Sequence, residues 1–247
     1  MRGFLLALIV LAVPQAPADF VVFNSTTAGG AAVAVLDSAS TGNTTGTVVT
    51  ISFTGSSGTN VAMFVACAHR DTDGGAEISA IEWDTGDDGA GGTGETGFNE
   101  IGSVVENFTI RTDAFVLVGY TAGTHNVIIT LTEDTRRSNC GVMSYQNVDQ
   151  GTPTSGAASA TGATTTATVD VTSGGSNSIV MDSVGGCCDG THTVDGSQNE
   201  QWNFELGGGS GSCHGSASTE TGTGSITMSW TVEGTLWATK GWSIDPA

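Results

Sequence analysis

The sequence predicts an all-β fold: an antiparallel β-sandwich, jelly-roll-like, built from a dozen or more short strands. Three observations predict it. Thr, Val and Ile dominate the periodic stretches, while Gly, Ser, Asn and Asp interrupt them every eight to twelve residues. Several stretches alternate apolar and polar residues, the period of a strand with one buried face. Nothing in the chain combines helical periodicity with helix caps.

Arg2 provides a short positive start, Phe4 to Val13 is an apolar run, and Ala16-Pro17-Ala18 is a small-residue A-x-A site. That layout is expected of a secretory signal peptide over residues 1–18, cleaved after Ala18, with a mature domain over 19–247. The apolar run is too short to span a bilayer as a helix.

The strands come next. Val49, Ile51 and Phe53 alternate with polar residues, as do Val127, Ile129 and Leu131, Ala167, Val169 and Val171, and Ile226, Met228, Trp230 and Val232. Each set reads as the buried face of a half-exposed strand. Val61 to Val65 and Phe115 to Val118 are unbroken apolar runs, suited to strands covered on both faces. An internal echo organises these elements. Thr50-Ile51-Ser52-Phe53-Thr54, a Gly/Ser turn and Val61-Ala62-Met63 recur as Thr168-Val169-Asp170-Val171-Thr172, a Gly/Ser turn and Ile179-Val180-Met181. A tryptophan follows each copy, Trp83 or Trp202, and then a strand opened by Gly-Thr. The expectation is one domain of two similar halves, with an internal boundary within 149–162. The Thr/Ser/Gly/Ala run from Thr152 to Thr166 is compatible with a linker or with a long crossover.

Several stretches resemble a recurring pattern. They are Asn60 to Ala68, Ala122 to Val127, Gly141 to Pro153, Gln201-Trp202-Asn203, and the end from Ser225 to Trp230 through Trp237-Ala238 to Asp245-Pro246-Ala247. Together they resemble poorly characterised bacterial, phage and metagenomic β-sandwich domains of concanavalin-like or jelly-roll type. The resemblance implies a fold and a setting, secreted surface or virion, and supplies no catalytic residues.

Composition excludes some functions. The chain carries 25 Asp+Glu against 6 Lys+Arg, a formal charge of −19, and one lysine, Lys240. Phosphate backbones and anionic lipid surfaces repel such a chain, so neither nucleic acid nor a membrane surface is an expected partner. A 38% apolar content is nevertheless enough for a core.

The candidate chemistry is sparse. Five cysteines (Cys67, Cys140, Cys187, Cys188, Cys213) leave at least one unpaired within the chain. The expected staple joins Cys213 to Cys187 or Cys188, with Cys67 and Cys140 either free thiols or a second bridge. The alternative for that region is a metal site of Cys187, Cys188, His192, Cys213 and His214, at a spacing unlike the common zinc patterns. Asp71, Asp73 and Glu77 precede the strand Ile78 to Trp83, and Asp84, Asp87 and Asp88 follow it. Either acidic group suits a weakly held calcium ion, but a strand of that length sets them about 20 Å apart. The bland alternative is solvated charge. Glu82-Trp83-Asp84-Thr85-Gly86-Asp87 approaches a glycosidase strand, whose retaining chemistry needs two carboxyl groups about 5 Å apart; the Gly-rich turn is expected to aim Asp87 away. Trp83, beside these acidic residues, is the candidate sugar-stacking platform.

The expected function is therefore a non-catalytic structural or adhesion sandwich on an extracellular or virion surface. Its expected partners are surface glycans, copies of itself or other surface proteins, and no cofactor is required, with calcium possible. A carbohydrate-binding module is the alternative, and a sandwich hydrolase the third reading.

Overall fold

A computed structural model describes residues 31–70, 76–102, 105–187, 191–204, 213–234 and 236–247. The export segment expected over 1–18 lies outside them. Sixteen antiparallel strands, β1 to β16, and no helix occur among the described residues. They are β1 (Ala34–Gly55), β2 (Ala62–Arg70), β3 (Ile78–Asp84), β4 (Glu95–Gly97), β5 (Asn99–Glu100), β6 (Val105–Asn107), β7 (Ile110–Val118) and β8 (Gly123–Gln146) in the first half of the chain. The second half holds β9 (Thr154–Gly162), β10 (Thr166–Thr172), β11 (Ile179–Cys187), β12 (His192–Val194), β13 (Asn199–Phe204), β14 (Cys213–Thr221), β15 (Ser225–Val232) and β16 (Trp237–Ile244).

The alternating stretches occupy the predicted half-buried strands. In β10 and β15 every second residue is buried, and Val49, Ile51 and Phe53 on β1 are likewise enclosed. The unbroken run of β2 is buried on both faces, as expected of an interior strand.

The pairings occur twice. β2 lies between β7 and β8, and β11 lies between β14 and β16. The register Met63↔Leu117 and Met63↔Ser144 is repeated as Met181↔Thr219 and Met181↔Trp242. Ile51↔Val127 of β1 and β8 is repeated as Val169↔Met228 of β10 and β15. One difference separates the halves. β1 and β8 run unbroken for 22 and 24 residues, through register shifts around Gly46, so the first half forms one eight-stranded sheet. The second half divides the same path into β9 and β10, and into β15 and β16, giving separate sheets of five and three strands. Two strands are thus far longer than the short ones expected, because bulges let a strand bend from one layer to the next without ending.

The Thr/Ser/Gly/Ala run, which in sequence resembled linker or crossover, is mostly β9, an edge strand paired with β16 from Thr154 to Gly162. Its low apolar content follows from that position, where half its residues face solvent.

The apolar clusters define four layers. Phe64, Ala66, Ala114, Val116, Met143 and Tyr145 of the first half meet Met181, Ala217, Trp202, Trp242 and Ile244 of the second in a central core. The opposite face of β2 packs through Met63, Val65 and Cys67 against Val49, Ile51, Phe53, Trp83 and Val127. The opposite face of β11 packs through Val180 and Val184 against β10 and β15.

Cys67 and Cys140, directly opposed on β2 and β8, form a disulfide across 73 residues of chain. Closing a loop that long restricts the unfolded ensemble. We expect the double variant C67A/C140A to lose about 2–4 kcal/mol of stability, read as a lower urea midpoint with a higher m-value, since the unbridged unfolded chain exposes more surface. An unchanged midpoint would contradict a constraining role.

Candidate functional site

The acidic residues after β3 converge at the β3–β4 connection. Ligand oxygens of Asp84, Asp88 and Glu95 all lie within 4.8 Å of one another, the one such group of three or more His, Cys, Asp or Glu among the described residues. Glu95 stands outside the sequence-derived set; only the return of the chain through β4, opposite Asp84, brings it in. The carboxylates already serve the turn. Asp84 accepts from the amides of Asp88 and Gly89, Asp88 accepts from the amide and hydroxyl of Thr93, and Glu95 accepts from Gly92. Glu82 accepts from Gly91. A Gly-rich loop has many unpaired N–H groups, and short acidic side chains satisfy them locally. Those Thr93 donors hold the Asp88 carboxyl below its usual range. A Cβ on Gly92 would sit 1.9 Å from Asp88 Oδ1, so a larger residue there would push that carboxylate off Thr93. The cluster is thereby explained as a turn and carries no metal assignment.

Trp83 corrects an expectation. It is fully buried rather than an exposed platform, because β3 places it on the face turned toward β2, among Met63, Val65 and Cys67. Its indole N–H donates to Thr121 O at 3.0 Å, and its ring meets Phe53, Tyr120 and His125 edge-on. Asp87, in the left-handed region at φ 55°, turns to His125 Nδ1 at 3.3 Å instead of joining the carboxylate group. Glu77, at the far end of β3, pairs with Arg111 at 3.4 Å. Arg111 also faces Asp113, which lies 3.7 Å from His69; burial, only partly offset by Arg111, raises Asp113 to about 6. Asp71 and Asp73 lie outside the described residues.

The cysteine expectation is corrected as well. Cys213 is a buried free thiol, so it is stapled to neither Cys187 nor Cys188, although Cys187 faces it across β11 and β14. Cys187 is disulfide-bonded, and Cys188 lies outside the described residues. Burial pushes the Cys213 thiol up to about 12, which keeps it protonated and unreactive.

A serine–histidine contact sits at the same end of the molecule. His192 Nδ1 lies 2.8 Å from Ser216 Oγ, the spacing of a nucleophile and its base. Its direction is wrong for catalysis. Asn203 Nδ2 donates to His192 O and Glu200, which points its oxygen at Ser216 and makes the Ser216 hydroxyl a donor to it. His192 must then donate to Ser216, and burial, followed by the nearby His214, pushes His192 down to about 3. A neutral imidazole that gives rather than takes a proton is a structural brace.

Asp182, mid-strand on β11, is enclosed too. It accepts from the Ser218 amide and hydroxyl and from the Trp230 indole at 2.8 Å. Burial, which these donors offset only in part, raises it to about 7.

The most exposed large apolar side chain among the described residues is Phe108, at the tip of the β6–β7 hairpin. It is 81% accessible and lies at φ 63°. A bulky residue pays for that conformation with about 1–3 kcal/mol. The hairpin is anchored by Asn107, whose amide donates to Gly162 O and Trp237 O at 2.7 and 3.0 Å. Asn107 opens an Asn-Phe-Thr sequon, and its nitrogen is committed to the fold.

No family model, curated protein or solved structure matches the chain. The reading of function therefore rests on the geometry above.

The buried carboxyls make a pH prediction. Asp182 and Asp113 have folded values above an unfolded carboxyl, so their contribution is complete below about pH 4 and fades as pH rises to about 7. Urea unfolding at pH 4.5 should give a stability higher by about 2 kcal/mol than at pH 8: the gain from the two carboxyls, less the cost of His192, which at about 3 refuses a proton that the unfolded chain takes up. Asp182→Asn should flatten most of that slope; an unchanged slope would contradict the assignment.

Proposed function

We propose that the chain is a non-catalytic structural or adhesive module displayed on an extracellular or virion surface, contacting neighbouring proteins or copies of itself. One observation supports this above the rest. Phe108 is an aromatic ring presented to solvent, in a strained conformation, on a hairpin tied to both β9 and β16 through Asn107. Strain held in place against solvent, with no packing in return, points to a contact made outside the chain. The side chains that would serve hydrolysis are committed inward: Ser216 and His192 brace β14 against β12, and Glu82 and Asp84 hold a turn. An internal disulfide suits an oxidising compartment.

The test separates contact from folding. Phe108→Gly removes the ring and relieves the backbone, so its stability should equal or exceed the parent's by up to about 1 kcal/mol. Adhesion of labelled protein to the source cell or virion surface should fall at least tenfold. Undiminished adhesion would overturn the proposal. A glycan array run with the same two proteins distinguishes a protein contact from sugar stacking, since Phe108-dependent glycan binding would favour a carbohydrate-binding module instead.

A further inference from the structure

The one lysine in the chain is buried. Lys240, on β16, is 1% accessible, and its ammonium nitrogen has no hydrogen-bond partner. None of the four ion pairs among the described residues includes it. An enclosed ammonium without an acceptor is costly, and natural chains rarely keep one where Met or Leu would fit. The position is otherwise suited to an apolar residue: its neighbours on the same face of β16, Trp242 and Ile244, belong to the central core.

Lys240 lines a pocket. A cavity of about 220 Å³ is lined by Lys240, Gly102, Ala157, Ala158 and Ser159. It lies where β9 meets the connection between β5 and β6. Lys240 and Ser159 are direct partners in the β16–β9 ladder, so the amine and the hydroxyl belong to adjacent strands. The walls are otherwise methyl groups and a glycine. Gly102 is required there: at φ 60° it holds a left-handed turn, and a Cβ would press to 3.3 Å from Ala157 and 3.8 Å from Lys240 Cε. The small residues keep the space open, and none of them offers an anion to the amine.

We propose that this pocket binds a small monocarboxylate, with Lys240 supplying the cation and Ser159 a hydroxyl donor. The volume is below that of a drug-sized site, which limits the ligand to a small acid. A single negative charge is specified by the surroundings. Glu100 and Asp113 act on the same ammonium at longer range, and the chain as a whole carries −19, so a phosphate dianion meets more repulsion than a carboxylate does. A carboxylate also provides the acceptor that the amine lacks. Burial, partly offset by Asp113 and Glu100, holds Lys240 below the usual lysine range, and a bound anion would raise it again. The carboxylate can belong to a free short-chain acid or to an acidic sugar.

Lys240 being the only lysine makes the test direct. Protein labelled with ¹³C at lysine Cε gives one side-chain resonance from the whole chain. It should be titrated with sodium acetate and with sodium glucuronate at constant ionic strength, and with sodium chloride and sodium phosphate as controls. The proposal predicts a saturable shift with a carboxylate and no saturable shift with either control. Binding followed calorimetrically should weaken at least tenfold in Lys240→Met and severalfold in Ser159→Ala. Response to acetate alone assigns free acids, and much tighter glucuronate binding assigns an acidic sugar. A resonance unmoved by either carboxylate, or moved equally by chloride or phosphate, would overturn it. So would unchanged carboxylate affinity in Lys240→Met; the resonance of the unsubstituted protein decides the matter should that variant not fold.

Discussion

The largest apolar contact between the two halves is the one on which the fold depends: the central faces of β2 and β11, with their neighbours, buried against each other. Phe64, Tyr145 and Trp242 fill its middle, the first two edge-on at 5.4 Å between centroids and Phe64 stacked on Trp242 at 6.5 Å. Toward the other end the side chains shrink to Ala66, Ala68, Gly141, Gly185 and Gly215, and Trp202 reaches across from β13 to lie on Gly141. A Cβ on Gly141 would sit 2.1 Å from the indole nitrogen, so the glycine is what admits the tryptophan. Once these inner sheets are paired, each has a second apolar face to cover. The outer layers, β1–β8–β3 on one side and β10–β15–β12 on the other, are the covers.

A four-layer arrangement in a chain this size has a consequence for polar residues. β11 and β16 are buried along their whole length and β14 from Cys213 to Thr219, yet β11 contains Asp182 and Ser183, β14 contains Ser216 and Ser218, and β16 contains Thr239 and Lys240. Burial of such groups is tolerable where each finds a partner. Gln198, Ser218, Asp182 and Trp230 form one connected chain of donors and acceptors, and Asn203, Ser216 and His192 form another. Each links an inner strand to an outer one. They add specificity of register to layers whose apolar contacts alone would tolerate sliding. Ser183 Oγ and Lys240 Nζ, both without a hydrogen-bond partner, depart from that pattern.

Strand placement was legible in the sequence because solvent on one face enforces alternation, as in β10 and β15. The repeated register also left a trace, since equivalent positions in the two halves need similar residues at Ile51 and Val169 or at Met63 and Met181. What was not legible depends on who neighbours whom. Trp83 looked exposed because Asp84, Asp87 and Asp88 follow it, but strand direction buries a residue whatever the charge of the next loop. Cys213 and Cys187 do face each other, as a staple would require, and yet Cys213 stays a free thiol while Cys67 is bridged to Cys140. Polar strands such as β14 concealed their burial, since Ser, Gly and Ala read as turn or edge until a second sheet covers them. Glu95 joined the acidic turn only through the return of β4.

The dependence of both halves on one interface is open to native-state hydrogen exchange. The amides of β2 and β11 should exchange only through global unfolding, with equal free energies and equal dependence on denaturant, as expected of a single cooperative unit. The outer strands β3 and β12 should open at lower cost. Contradiction would come from β11, β14 and β16 exchanging at a distinctly lower free energy than β2, β7 and β8, for then the halves would be stable apart and the central face would be a docking surface between them.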